Sequence, residues 1–355
     1  MKILLRGLGT ATPPLYATQA EAYEFFTTHL NLTPDQTALY RRILLGGKIK
    51  GRFLGLDVDT DILATDPDRL LIRFLKFGRA AAVAAARRAL AEAGVDAARI
   101  SGLIVNTCTG YLCPGLSSYV AGDLGLGQSI RVLDLMGMGC GAAVPNLEAA
   151  AGMLARNGSG PVLSIAVEIC SATFFPDHDP ELILSNSIFG DGAAAAVLDR
   201  VPDNHAGGLA CITDFAAGLW PQYREDLRYR TENGRLRNQL SRRVPVIGAR
   251  IVAEVSARLL ARHGLGRDDI DWWAVHPGGT LVLNQVAKKL ELPADALRFS
   301  HDVFENYGNM SSPSVLFVLR QILDRGRPQP GQKGLLLAFG AGFSAFGALV
   351  EFMPG

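Results

Sequence analysis

Between Lys333 and Glu351 the chain runs through seventeen residues without a charge. That is close to the shortest stretch that crosses a bilayer as a helix, about 17–25 residues. Gly340, Gly342 and Gly347 interrupt it, and each glycine in a helix interior costs about 0.8–1.0 kcal/mol relative to alanine. The run therefore predicts two buried strands around a turn and no membrane span.

Short apolar runs alternate with amphipathic segments along the rest of the chain, the pattern of a layered α/β architecture. In the first half a helix is predicted over 70–93, stopped by Gly94, with strands at 102–107 and 131–135. A helical segment then runs to about 157, ended by Gly158 and Gly160, before a strand at 162–168, a turn region at 176–180 and a strand at 190–198. The second half repeats the theme: strands at 208–215 and 272–275, and helices at 246–263, 280–290 and 311–323. A hairpin at 227–240 is marked by Asn233-Gly234, the strongest short hairpin signal. No literal repeat is visible, so a duplicated topology is suggested only by the order of elements.

At 355 residues the chain exceeds the roughly 250–300 at which one core stops growing. Two units are expected, residues 1–205 and 206–355. Hydrophobic residues make up 48% and charged residues 19%, which excludes a disordered chain. The net charge of +1 gives no global reason to bind nucleic acid or an anionic membrane. The five cysteines contain no CxxC pair, which fits neither a disulfide framework nor a zinc ribbon and predicts a reducing, cytoplasmic setting. The first apolar run breaks at Arg6, so a signal peptide is not expected.

Three residues stand where chemistry is placed. Cys140 follows a strand and a glycine-rich turn and opens an alanine-rich helix, where free N–H groups and the helix dipole favour a thiolate. Such a cysteine is either a nucleophile, ionised at neutral pH, or a small core hydrophobe. His276 ends the apolar run that begins at Trp272 and precedes Pro277-Gly-Gly279; it is either a functional group at a strand's carboxyl end or a structural hydrogen-bonding residue. Asn309 precedes an apolar helix, as a cap, a turn residue or a donor. The other histidines, His29, His178, His205, His263 and His301, read as loop or helix-end residues. Together a thiol and two neutral donors suit thioester chemistry.

The runs Gly137-Met-Gly-Cys140, Ile188-Phe-Gly-Asp-Gly192, Trp273-Ala-Val-His276-Pro-Gly-Gly, Tyr307-Gly-Asn309-Met-Ser-Ser and Phe339-Gly-Ala-Gly342 resemble, in order and spacing, those of the type III polyketide synthases. This is the chalcone/stilbene synthase family of the thiolase fold. The stretches 107–114 and 167–174 are most similar to bacterial alkylpyrone and alkylresorcinol synthases. The resemblance implies an α/β thiolase-like fold, layered α-β-α-β-α, built from two similar halves. It implies an acyltransferase in which Cys140 carries an acyl starter, fatty acyl by this likeness, from acyl-CoA or an acyl carrier protein. His276 and Asn309 would bind the malonyl-CoA carbonyl and stabilise the enolate left by CO2, and His276 would also hold the Cys140 thiolate as an ion pair. The chain would then close to a pyrone or resorcinol. Beyond coenzyme A thioesters as substrates, no cofactor or metal is implied, and a homodimer is.

By the same resemblance Phe189 is a gatekeeper, Asn238 stands at the second gatekeeper's place, and Thr173, Ser311, Cys108 and Phe339 line the cavity. Cys113 would reach into a partner subunit's cavity; for Cys108 and Cys113 simple packing is the alternative. Arg42, with Arg41 and Lys48, would meet coenzyme A, while Ala341 replaces a usual proline. From Arg224 to Arg243 seven arginines face three acids, a local net of +4, read either as a solvated hairpin or as an electropositive rim for an anionic partner. A β-ketoacyl carrier-protein synthase, a papain-like Cys-His-Asn thioester hydrolase and a non-catalytic acyl-binding scaffold are the alternatives. Gly-Asn-Met-Ser at 308–311, where the carrier-protein synthases usually have Gly-Asn-Thr-Ser, and Gly141 after the cysteine favour the polyketide reading.

Overall fold

The computed structural model describes residues 1–157, 160–176 and 179–354; Gly158 and His178 lie outside the described residues. The N-terminal part builds strands β1 (Lys2–Ala11), β2 (Leu15–Thr18), β3 (Gly51–Leu54), β4 (Gly102–Asn106), β5 (Arg131–Leu135), β6 (Val162–Ile169) and β7 (Asp191–Val201). Its helices are α1 (Gln19–His29), α2 (Pro34–Leu44), α3 (Pro67–Ala93), α4 (Leu116–Leu124), α5 (Ala143–Asn157) and α6 (Pro180–Ile188). The C-terminal part adds β8 (Ala210–Leu219), β9 (Leu227–Glu232), β10 (Arg235–Leu240), β11 (Trp272–Val275), β12 (Lys333–Gly340) and β13 (Ser344–Phe352). Its helices are α7 (Val244–Arg262), α8 (Thr280–Leu290), α9 (Arg298–Tyr307) and α10 (Ser314–Gln321).

Nine strands form a sheet in the order β11-β12-β13-β8-β1-β7-β6-β4-β5. From the middle outwards, β1-β7-β6-β4 and β8-β13-β12-β11 repeat the same contacts: antiparallel, antiparallel, parallel. The two sets meet where β1 pairs β8 through Ile3, Leu4 and Leu5, and residues 205 and 206 fall in the connection from β7 to β8. The sheet turns about this seam, so one core cluster joins α5 and α10 to strand faces from both sets. A second cluster packs α3 on the outer face of β6 and β7, and a third packs α7 and α8 on the outer face of β11 to β13. The result is the helix–sheet–helix–sheet–helix layering that the resemblance implies.

Local chemistry explains these elements. Asp66 caps α3 by accepting the Arg69 N–H, Pro67 opens the helix, and Gly94 closes it at φ +62°, a left-handed conformation that costs glycine little. The alanine face of α3 lies so close to β1 that a Cβ on Gly7 would sit 2.2 Å from the Ala89 carbonyl oxygen. In β7, Ala194, Ala196 and Leu198 face the central helices while Ala193, Ala195 and Val197 face α3, so an all-apolar strand serves two covered faces. The uncharged C-terminal run is the β12–β13 hairpin, and among the described residues no helix is long and apolar enough to cross a membrane.

Several elements fall where none is predicted: strands β1 to β3 and helices α1, α2, α4, α6 and α9. Of these α6 and α9 are short, and α6 follows the turn signals of 176–180 directly. The predicted helix over 311–323 starts only at Ser314, because Ser311 is left-handed at φ +59°.

Candidate active site

Cys140 sits in a single 3-10 turn, Gly139–Gly141, between β5 and α5, and is 9% exposed. A Cβ on Gly340, at the end of β12, would lie 2.1 Å from the Met138 carbonyl oxygen, so this glycine lets the C-terminal sheet press on the nucleophile turn. His276 follows β11, its N–H bonded to the Leu337 carbonyl at 2.8 Å. Its ring is 1% exposed, stands edge-on to Phe339 at 6.0 Å, and has no partner for Nδ1. Asn309 follows α9 and is pinned beside the Phe189 segment: its N–H donates to the Ile188 carbonyl at 2.9 Å and its carbonyl accepts Gly190 N–H at 3.0 Å.

A chain of contacts joins the three. Ser311 Oγ reaches Cys140 Sγ at 3.4 Å, Ser311 N–H donates to Asn309 Oδ1 at 2.8 Å, and Asn309 Nδ2 donates to the Gly278 carbonyl at 3.4 Å, two residues past His276. The left-handed Ser311 backbone is what turns its hydroxyl to the thiol, a strained conformation of the kind concentrated at functional sites. The second Asn309 amide hydrogen remains available.

The cavity over Cys140 is lined by Cys108, Phe189, Tyr229, Asn238, Ser311 and Ala341, among others, with about 20 Å³ open to water centres, room for roughly one water. Thr173 stands behind it, buried, donating to the Cys170 carbonyl at 2.8 Å. Phe339 backs His276 and Phe343 and is not a lining residue. Cys113 is exposed in the β4–α4 loop, away from this chain's cavity. Arg41, Arg42 and Lys48 lie exposed at and just beyond the end of α2, with no ion-pair partner among the described residues.

Electrostatics bear on two of these readings. Burial pushes the Cys140 thiol up to about 12, with the Glu168 carboxylate adding to the effect and the Ser311 hydroxyl opposing it. Burial also holds His276 down to about 3, and no hydrogen bond joins the two among the described residues. Burial thus opposes the charged form of both groups, setting loss of water against the helix terminus that favours a thiolate. Acids pair with much of the arginine-rich hairpin while its net charge stays positive. Glu225 pairs with Arg224 and Arg228, Glu232 with Arg230 and Arg237, Asp226 with Arg243, and Asp179 with Arg237, while Arg235 stacks on Phe175.

Two site residues escaped the sequence reading. Glu168, fully buried in β6, accepts from Cys108 N–H (2.9 Å), Thr107 Oγ1 (3.1 Å), Thr109 Oγ1 (2.9 Å) and Ser312 Oγ (2.8 Å), and Cys108 Sγ lies 3.4 Å from it. Burial raises its pKa against those bonds. A lone acid within an apolar strand run was the available signal. Tyr229 pairs with Asn238 across the hairpin and points its phenol into the cavity, where it bonds Thr173; alternation alone leaves open which hairpin face turns inward.

The buried neutral His276 also sets an acid limit. Below pH 6.5 the unfolded chain gains a proton that the folded chain refuses until about pH 3, so stability present above 6.5 is lost as pH falls, by about 1.4 kcal/mol per unit. In His276→Asn this loss disappears: thermal melts between pH 7 and 4 should fall less steeply than wild type, and parallel curves would count against a neutral buried ring.

Residues 63–209 match the family described as FAE1/type III polyketide synthase-like protein, and residues 216–354 match the chalcone and stilbene synthases, C-terminal domain. The chain is 32% identical to a 1,3,6,8-tetrahydroxynaphthalene synthase of Streptomyces peucetius subsp. caesius, over 95% of this chain and 89% of that protein. It is 29% identical to an alpha-pyrone synthesis polyketide synthase-like protein of Mycobacterium tuberculosis, over 99% and 91%. The crystal structure of PKS-I from the brown alga Ectocarpus siliculosus superposes with a TM-score of 0.90 at 28% identity, over 99% and 98% of the two chains. The carrier-protein synthase, hydrolase and scaffold alternatives give way to this likeness, which spans both halves and the segments that meet at Cys140: the chain belongs to the type III polyketide synthases, thiolase-fold acyltransferases that build polyketides.

Proposed function

We propose that Cys140 carries the acyl starter and the growing chain, and that His276 and Asn309 hold the malonyl-CoA thioester oxygen. The observation that carries this reading is the contact chain from the buried thiol through Ser311 to Asn309, whose amide reaches the Gly278 carbonyl two residues past His276, together with a His276 Nδ1 left without a partner. Cys140 sulfur attacks the starter carbonyl, its proton leaves through His276, and coenzyme A departs as the thiol. Malonyl-CoA then loses CO2; the enolate oxygen is held by the two donors, and its carbon attacks the Cys140 thioester and frees the sulfur. Each step exchanges acyl groups or releases CO2 with no net oxidation, so the chemistry calls for no metal or redox cofactor.

The unpaired Arg41, Arg42 and Lys48 favour coenzyme A as the delivering group, because its phosphates are anionic. A cavity with room for about one water has to open for any acyl starter, and Tyr229, which lines it, is the side chain that moves aside for a fatty acyl chain and its closure to a pyrone. Incubation with acetyl-, hexanoyl- and decanoyl-CoA followed by intact-mass and peptide analysis tests the reading: the acyl mass belongs on the Cys140 peptide, and product without that adduct would overturn it.

Tyr229 sets the chain length in this reading. In Tyr229→Ala the removed phenol opens the cavity toward Thr173, so mass spectrometry should show products longer by at least one malonate-derived unit; an unchanged product distribution counts against it.

A homodimer formed along β5 is proposed on the edge this strand leaves unpaired, where Val132, Leu133 and Met136 are 42%, 43% and 41% exposed. An apolar open edge is a template for a second strand. Leu133→Asp should sediment as a monomer, whereas wild type sedimenting as a monomer would end the proposal. The five free cysteines fit a reducing, cytoplasmic setting.

A further inference from the structure

A recess of about 290 Å³ opens beneath α1 and shares no lining residue with the Cys140 cavity. Its walls are apolar, built by Phe25, Phe26, Leu54, Leu56 and Ile62, and Arg52 and Asn186 line it together with Phe174. Arg52 is only 2% exposed. It spends Nε on Gln19 Oε1 (3.0 Å) and one Nη on the Asn186 and Phe189 carbonyls (2.7 and 2.6 Å). The second Nη makes none of these bonds, and among the described residues no carboxylate lies within ion-pair distance of Arg52. Asp191, the nearest acid in electrostatic effect, has its oxygens taken by Gly55 N–H and by Ser171 N–H and Oγ. On the same wall Asn186 donates Nδ2 to the Phe175 carbonyl and leaves Oδ1 without a partner.

A buried guanidinium whose nearest acid in electrostatic effect, Asp191, spends its oxygens on other donors is only partly compensated, so an anion that joins it is favourable. The remaining Nη still offers two N–H donors to an anionic oxygen, and an apolar shaft needs an apolar body to fill it, which together suit an aliphatic carboxylate. We propose that this recess is a second binding site, separate from the Cys140 cavity, for an aliphatic carboxylate whose head group pairs with Arg52 and whose chain fills the shaft under α1. Glu21 and Asp59 also line it, but both are exposed. Glu21 is occupied by the Thr18 cap and Asp59 by Thr60 N–H, so water screens them while the buried guanidinium is screened far less. A water bound with the carboxylate supplies the donor that Asn186 Oδ1 lacks.

The site is coupled to the catalytic one by position. The Arg52 stem fits against Gly190 and Gly308: a Cβ at Gly308 would lie 2.9 Å from Arg52 Cγ, and these glycines flank Phe189 and Asn309. An anion that draws on Arg52 therefore acts on the segments that hold both.

Calorimetric titration of the intact protein with sodium decanoate, and separately with decylamine, tests the proposal without relying on polyketide activity. One decanoate is expected per chain, with decylamine at least tenfold weaker. Ala22→Trp, which fills the shaft from α1 and touches no catalytic residue, should weaken decanoate at least tenfold with an unchanged melting temperature; Arg52→Gln should do the same if it folds. Equal decanoate binding in wild type and Ala22→Trp, or decylamine binding as tightly as decanoate, overturns the proposal. So does a loss of decanoyl-CoA turnover in Ala22→Trp with acetyl-CoA turnover intact, which assigns the shaft to the starter's tail.

Discussion

Cys140→Ser should lower product formation by on the order of 10³-fold or more while leaving the melting temperature close to wild type. Serine fits the 3-10 turn and keeps a partner in Ser311. Its hydroxyl, however, ionises far less readily than a thiol and forms an oxygen ester that the malonyl enolate attacks poorly. The effect is large because no other group in the proposed mechanism can carry the acyl chain, and burial already opposes ionisation at this position. Mass spectrometry of products after acyl-CoA and malonyl-CoA incubation measures it. Undiminished product would remove Cys140 from the mechanism.

The second large effect is expected at His276. In His276→Ala the release of CO2 from malonyl-CoA should drop about 10²–10³-fold, the loss of one preorganised donor of about 2.7–4 kcal/mol. The imidazole is suited to this role because burial keeps it neutral and its position is set by backbone pairing of β11 with β12, so little reorganisation accompanies the reaction. Starter loading should suffer less, since Asn309 and the turn around Cys140 remain. Carbon dioxide release at the wild-type rate would refute the assignment.

Much of the architecture was legible. The glycine-interrupted run after Lys333, the capped alanine helix before Gly94 and the Asn233-Gly234 hairpin each carry a local signal strong enough to survive packing, and each appears in place. The short helices α6 and α9 did not, because eight to ten residues beside turn signals show too few periods to separate helix from loop. Cys140, His276 and Asn309 were legible as residues at element ends, and the family resemblance gave them a common purpose. Glu168 was missed because one acid in a buried strand has no periodicity of its own. Tyr229 was missed because a two-sided hairpin does not declare which side is covered.

By itself, then, the sequence determined the layered α/β architecture and most of its central elements, and it singled out Cys140, His276 and Asn309 as the candidate thiol and donors. These depend on local backbone preference and on the spacing of apolar residues. Only the tertiary structure shows that burial opposes charge on both Cys140 and His276, against the helix terminus that favours a thiolate. It also decided that several arginines of the hairpin pair with acids brought alongside them, that Tyr229 lines the Cys140 cavity, and that Arg52 is buried beside an apolar recess with no carboxylate at ion-pair distance among the described residues. Desolvation and charge pairing depend on which distant segments come together, and that information exists only once the chain has folded.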